Sequence, residues 1–302
     1  MNRHPTVIRN GKLIKNLTPW LFLLPSITIL ITFLIIPIIE SFRWSVLDYK
    51  ILLGTGKFVG FDNFQEIFSD DLFWKALVNT ILFVIIVLPM NIFLPMILAS
   101  LVNQKIRSIG AFRVLYYVPV VTPIVVGALM WKMLYSQNGA ISNFLVSIGI
   151  LDAPINFLAN TTTALVAVAF ITAWKGLGYY MIMYLANLQS IPNQLYESAD
   201  IDGANIIQKF TRITMPMLVP TITLVSVLTI VNGLKVFEEI ALTTNGGPAG
   251  ATTTLVMYIY DKFSNLDVSI ASAAGIVLLI LAIVGSLIQM KLTSKREDDL
   301  RA

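Results

Sequence analysis

Six long apolar runs constrain this 302-residue chain more than any other feature of it. They cover residues 20–39, 76–101, 114–131, 163–185, 216–234 and 270–290. A helix needs about 20 apolar residues to cross a hydrocarbon core of about 30 Å, at 1.5 Å per residue. Each run is of that order, and only the fourth carries a charge well inside it, Lys175. Strands with open edges would leave backbone groups unpaired in lipid, so the runs predict helices. Pro89, Pro95, Pro119 and Pro123 fall inside them, which a membrane bundle tolerates because neighbouring helices can satisfy freed carbonyls. The expected fold is all-α and integral to the membrane, with six transmembrane helices.

Lysine and arginine predict the orientation. Arg3, Arg9, Lys12 and Lys15 precede the first run, and Lys105, Arg107 and Arg113 fall between the second and third. Lys291, Lys295, Arg296 and Arg301 follow the last. The segment after the first run instead sets Arg43, Lys50, Lys57 and Lys75 against Glu40, Asp48, Asp62, Glu66, Asp70 and Asp71. Both termini are therefore expected in the cytoplasm. The first run is too long for a signal-peptide core and lacks an Ala-x-Ala exit, so it reads as a retained span. The chain divides into a cytoplasmic tail (1–19), a six-helix membrane domain (20–290) and a second cytoplasmic tail (291–302).

Charged residues make up 13% of the chain against a usual share of roughly 25%, so lipid takes the place of water over much of the surface. The net charge of +4 flanks the spans, which is topology rather than a nucleic-acid face. There is no cysteine, and the single histidine, His4, lies in the polar tail, which removes thiolate and most metal chemistry. The acid pairs Asp70-Asp71, Glu238-Glu239 and Asp298-Asp299 lack a metal motif or a histidine partner. No catalytic residues are assigned, and no enzyme activity is expected. No phosphate-cradling Gly-x-x-x-x-Gly-Lys-Ser/Thr loop occurs, so an ATP-driven cycle would need a separate ATPase. A secondary transporter should show internal repeats and acids within its spans, and a channel a filter-like segment; neither pattern is present.

The segment between runs four and five (190–216) is unusual for a connector. Pro192 suits a helix start, and Asp202-Gly203 signals a turn, with a second short helix expected over 204–212. Ala199, Ile201 and Ala204 make the resulting helix–turn–helix partly apolar. Such a knob fits either an interfacial amphipathic loop or a cleft on a soluble partner.

The same segment resembles the loop motif of binding-protein-dependent ATP-binding-cassette permeases: Glu-Ala-Ala, three residues, Gly, nine residues, Ile-x-Leu-Pro. Glu197, Ala199, Gly203, Ile213 and Pro216 fall in that spacing, with Ser198 for Ala and Met215 for Leu. Further similarity lies in Phe58-Val59-Gly60-Phe61-Asp62-Asn63-Phe64, Asn79-Thr80, Phe112-Arg113, Trp174-Lys175-Gly176 and Thr244-Asn245-Gly246-Gly247-Pro248. Together these resemble the sugar branch that includes maltose and glycerol-3-phosphate permeases. The resemblance implies that Glu197, Ser198, Ala199, Asp202, Gly203, Ala204, Ile213 and Pro216 couple the chain to ATPase subunits. It also implies a second homologous permease in a heterodimer and two ATPases carrying ATP and magnesium. An extracellular solute-binding protein and a bacterial inner membrane complete the expected setting. No cofactor is expected on this chain itself.

Lys175 has two readings. It lines a polar pathway with Trp174, Gly176 and Tyr179, whose aromatic faces suit sugar rings, or it pairs with Glu238 or Glu239 or snorkels outward. In the maltose-type relative the ligand is held at positions matching Thr172, Gly176, Tyr179, Thr229 and Gly233. Gly176 and Tyr179 keep the residue type there, whereas Thr172, Thr229 and Gly233 differ. Two further polar positions correspond to the apolar Val120 and Ile124. A carbohydrate is the expected cargo, with a polyol phosphate as the alternative.

Overall fold

A computed structural model describes residues 9–103 and 109–301 of the chain, with side chains described for 19–103, Gly110 and 114–293. Arg3, His4, Lys105 and Arg107 lie outside the described residues, as do the side chains of Arg9, Lys12, Lys15, Arg113, Lys295, Arg296 and Arg301. The chain is mostly helical, and four helices are long and apolar enough to cross a membrane, or six if two bent pairs each count as one span. All six apolar runs thus lie on helices.

The first run lies on α1 (Arg9–Leu30), which continues through one π-helical turn, Ile31–Ile35, into α2 (Ile36–Ser45). The wide turn sits just ahead of Pro37, which has no N–H for the normal ladder. Helix also extends through residues 9–19, read above as a tail. Chain outside the spans is not wholly loop and helix, for β1 (Leu47–Lys50) and β2 (Thr55–Phe58) form an antiparallel hairpin with Leu47 opposite Phe58. Asn63 Nδ2 fixes the hairpin by donating to the carbonyls of Ser45 (2.8 Å) and Leu47 (2.9 Å). The Tyr49 amide donates to Ser269 Oγ at 2.8 Å, tying the hairpin to the last span.

The bundle is organised on α4 (Asp71–Val102), entered through α3 (Asp62–Ser69). Asp70 caps α4 by accepting from the Leu72 amide at 2.8 Å. Tyr258 Oη also donates to Asp70 at 2.8 Å, and Lys262 Nζ lies 3.4 Å away. Partial burial alone would raise the Asp70 pKa, but these hydrogen bonds and the lysine charge outweigh it and hold the carboxyl below the usual carboxylate range. Its contribution to stability is therefore present at neutral pH and lost as pH falls through that depressed value. Pro89 and Pro95 lie inside α4 without breaking it.

The third run departs from the expected single rod over 114–131. It is two helices, α5 (Ile109–Val121) and α6 (Ile124–Leu134), bent by 106°. Pro123 causes the break: it adopts an extended conformation (φ −55°, ψ 136°), lacks an N–H, and restricts Thr122 before it. After α7 (Ala140–Ser147), the long α8 (Ala164–Leu188) packs along α4 in the most extensive helix contact of the molecule. The short α9 (Asn193–Ile201), α10 (Ile206–Lys209) and α11 (Met215–Met217) follow, with a π turn, Phe210–Thr214, ahead of Pro216. Helix α12 (Val219–Leu234) departs from this stretch at 66°. Then come α13 (Glu238–Thr243), α14 (Leu255–Ser264) and α15 (Val268–Arg301).

Three buried clusters follow one another along α4: Phe73 and Ala76 with Tyr258 and Leu255, Phe83 and Val87 with Ile171 and Trp131, and Met96 and Ala99 with Tyr184 and Leu218. The other sides of the long helices expose large apolar side chains, as lipid contact requires, and the most apolar window of the first span has no buried residue. The loop before α14 is bolted to α4 by polar groups. Asn79 Nδ2 donates to the Gly250 and Thr253 carbonyls, each at 2.9 Å, and the Leu255 amide donates to Thr80 Oγ1 at 2.9 Å. Asn79→Ala would strand both carbonyls and cost about 2 kcal/mol. The expected outcome is a lower Tm of the purified protein, whereas a conservative Thr80→Ser should shift it far less.

Candidate functional site

A cavity of about 310 Å³ opens between α4, α5, α8, α12 and α13. Six of the seven residues singled out for a substrate pathway line it: Thr172, Lys175, Gly176, Tyr179, Thr229 and Gly233. Helical spacing explains the grouping on α8, since residues 172, 175, 176 and 179 fall on one face. Trp174 does not join them. It packs instead on Trp131, ring to ring at 5.6 Å and edge to face, against the middle buried cluster.

Lys175 neither snorkels away nor closes an ion pair with Glu238 or Glu239. Its Nζ donates to the Thr122 carbonyl at 3.1 Å, the backbone group left open where α5 breaks from α6. The charge and the broken helix thus satisfy each other across two spans. Glu239, in the first turn of α13, lines the same cavity; burial pushes its carboxyl above the usual carboxylate range, and the Lys175 charge and the Thr172 hydroxyl counter that only in part. Glu238 beside it is exposed.

The cavity also holds Val120, one of the two matched apolar positions, together with Asn91, Asn232, Tyr180 and Val87, which the motif-based reading passed over as pathway residues. Asn91 is buried; its Nδ2 donates to Thr229 Oγ1 at 3.5 Å, while its Oδ1 has no partner. An amide within an uncharged apolar run was the available signal, because polar groups in a span usually face a cavity. The site therefore combines an open amide acceptor, hydroxyls, one ammonium, one carboxylate and the Tyr179–Tyr180 ring pair (5.3 Å between centroids). That set can hydrogen-bond and stack on a polar, uncharged ring, and it contains no arrangement for making or breaking bonds.

The second region is the knob at the α9 end of the bundle. Pro192 stands at the N-cap of α9, one place before the helix. The Ala204 amide donates to Ala199 O (2.9 Å) and the Gly203 amide to Asp200 O (3.1 Å), a Schellman closure with Gly203 at φ +75°. The second helix begins at Ile206 rather than 204, because Asn205 and Gln208 form a reciprocal capping box. Lys209 pairs with Asp200 across the turn, and Tyr196 Oη meets Thr214 Oγ1 at 2.9 Å. Glu197, Ser198, Asp202 and Gly203 are exposed, Ala199, Ala204, Ile213 and Pro216 are half-buried, and Ile201 (87% exposed), Ile206 (84%) and Ile207 (73%) stand out into solvent.

A polytopic helical protein with a polar mid-bundle cavity and a rigid, apolar-tipped knob is built as a membrane permease. The chain belongs to the family described as binding-protein-dependent transport system inner membrane component, whose model matches residues 92–297. It is 34% identical to the lactose transport system permease protein of Rhizobium radiobacter, over 92% of this chain and 94% of that one. Identity to the trehalose/maltose transport system permease protein of Thermococcus litoralis is 29%, over 92% and 94%. Among solved structures, it is similar to a chain of a bacterial alginate transporter crystallised with an alginate-pentasaccharide-bound periplasmic protein, with a TM-score of 0.81, 30% identity and coverage of 95% and 97%.

Two glycines on α8 separate cavity from packing. A Cβ at Gly178 would stand 2.2 Å from the Tyr116 carbonyl of α5, whereas at Gly176 the nearest atom is Tyr180 Cε2, at 2.9 Å on a side chain that can turn. Gly178→Ala should cost about 1–3 kcal/mol through overpacking and lower the Tm of the purified protein. Gly176→Ala should leave Tm nearer wild type and act chiefly on transport.

Proposed function

We propose that this chain is the permease subunit of an ATP-driven importer that moves a carbohydrate, a mono- or oligosaccharide, through the cavity around Gly176 and Tyr179. The carrying observation is that cavity: hydroxyls, amides and a tyrosine pair at mid-bundle, in a chain whose relatives are named for lactose and for trehalose/maltose. Six spans, with the bent pairs counted as one each, and cytoplasmic termini in a bacterial inner membrane agree with the distribution of lysine and arginine. A binding protein delivers the cargo, as the periplasmic protein of the alginate transporter's crystal structure suggests by analogy. A second permease completes the pathway, and two ATPases hold ATP and magnesium.

The knob is the coupling element. Exposed Ile201, Ile206 and Ile207 give a cleft on an ATPase something apolar to bury, and the closed turn at Gly203 keeps them in register. Closure of the ATPases then shifts α9 as a unit, and Tyr196, Ile191 and Phe210 pass the shift to the buried cluster of Met96 and Tyr184. Tyr180 belongs to that cluster and to the cavity wall alike, so the two regions share a side chain.

In proteoliposomes holding the assembled transporter, radiolabelled neutral sugars presented on the binding protein should enter only with ATP inside. Uptake that ignores ATP would contradict the proposal. Gly203→Pro removes a Schellman amide and forbids positive φ, so it should abolish stimulated ATP hydrolysis and uptake while the bundle stays folded. Glu197→Ala should lower both, and undiminished uptake by Gly203→Pro would sink the coupling role.

A further inference from the structure

Of the acid pair at the start of α13, Glu238 is exposed and Glu239 is half-buried against the cavity. Lys175 reaches the same space from the middle of α8, with its ammonium anchored on Thr122 O. These are the charged side chains among the described residues that line the cavity, one of each sign. We infer that Glu239 is a specificity-determining residue, its carboxylate set against the Lys175 ammonium so that the pathway selects uncharged sugars. The inference rests on the carbohydrate reading and refines it.

The physical basis is that the two charges of the cavity balance, so a charged ligand gives up its hydration while attraction to one group is offset by repulsion from the other. A uronate drawn to Lys175 would also meet the Glu239 carboxylate, and an amino sugar drawn to Glu239 would also meet Lys175. Both groups are half-buried, so this repulsion costs more than it would in bulk water, where screening is strong. A neutral sugar avoids both penalties and satisfies both groups. The two oxygens of a carboxylate can accept from adjacent ring hydroxyls, and an ammonium with N–H groups beyond its Thr122 bond can donate to sugar oxygens. The open Oδ1 of Asn91 adds one more acceptor on the α4 side, within reach of the same cavity. A purely structural role, with Glu239 only balancing Lys175, makes a different demand: removing either charge would alter stability and leave ligand preference as it was.

The test uses the assembled transporter in nanodiscs without its binding protein, so that preference reports the permease cavity. Equilibrium binding is measured for three labelled probes: maltotriose, an alginate trisaccharide and a glucosamine trisaccharide. Wild type should favour maltotriose. Glu239→Gln should raise the alginate-to-maltotriose affinity ratio by at least about tenfold, and Lys175→Met should raise the glucosamine-to-maltotriose ratio similarly, a conservative share of one unit charge at this depth. Glu239→Asp keeps the charge and should retain the wild-type order, which separates charge from misfolding. An order of preference that stays the same in Glu239→Gln and Lys175→Met, with Tm lowered, overturns the inference and leaves the carbohydrate reading standing. Wild type that binds none of the three overturns both.

Discussion

Everything in this molecule depends on the cost of an unpaired peptide group in hydrocarbon. That cost, several kcal/mol for each group, forces the chain into helices and confines irregular backbone to places where protein covers it. The break between α5 and α6 is the sharpest case. Pro123 opens the helix, the Thr122 carbonyl loses its place in the ladder, and Lys175 from α8 supplies a donor at 3.1 Å. A charge that would be expensive in lipid and a carbonyl that would be expensive unpaired cancel each other's cost. The result is a kinked wall beside a polar cavity, in the middle of the bundle.

The same economy operates at the end that carries the hairpin. Asn79 and Thr80 stand on an otherwise apolar stretch of α4 and take up the backbone of the loop that leads into α14. Asp70, Tyr258 and Lys262 close the rim beside them. At the other end the knob is held by backbone closure at Gly203 and by the capping box at Asn205, not by burial. Its isoleucines remain exposed, and the surface that would cover them belongs to another subunit in the proposed assembly. Between the ends the three buried clusters follow one another along α4, and the middle one and the one nearer the knob also include α8 residues.

Much of this was legible in the sequence for physical reasons. Apolar runs of membrane-crossing length declare helices, and a motif of fixed spacing marks a turn that needs glycine at positive φ. Thr172, Gly176 and Tyr179 were grouped by the family resemblance, and their spacing of four and three residues on α8 does put them on one face. What escaped was whatever depends on the partner element. Trp174 shares the stretch of Lys175, yet a ring on the neighbouring α6 draws it into the core. Pro123 could be noted as a proline in a span, but neither the 106° size of the bend nor the donor that Lys175 brings to the freed Thr122 carbonyl could be read from it. Asn91, Asn232 and Glu239 sit on three different elements, and only the packing brings them to one cavity. The hairpin at Leu47–Phe58 is likewise tied to a distant group, Ser269.

The central claim is that this chain works as one subunit of an ATP-driven assembly, and the most direct measurement is its company. The tagged chain would be extracted in mild detergent, purified by its tag, and its partners identified by mass spectrometry. The account predicts an ATP-binding-cassette ATPase and a second permease in the purified complex. The chain recovered alone, and transporting in liposomes without ATP, would contradict it and make this protein a secondary transporter.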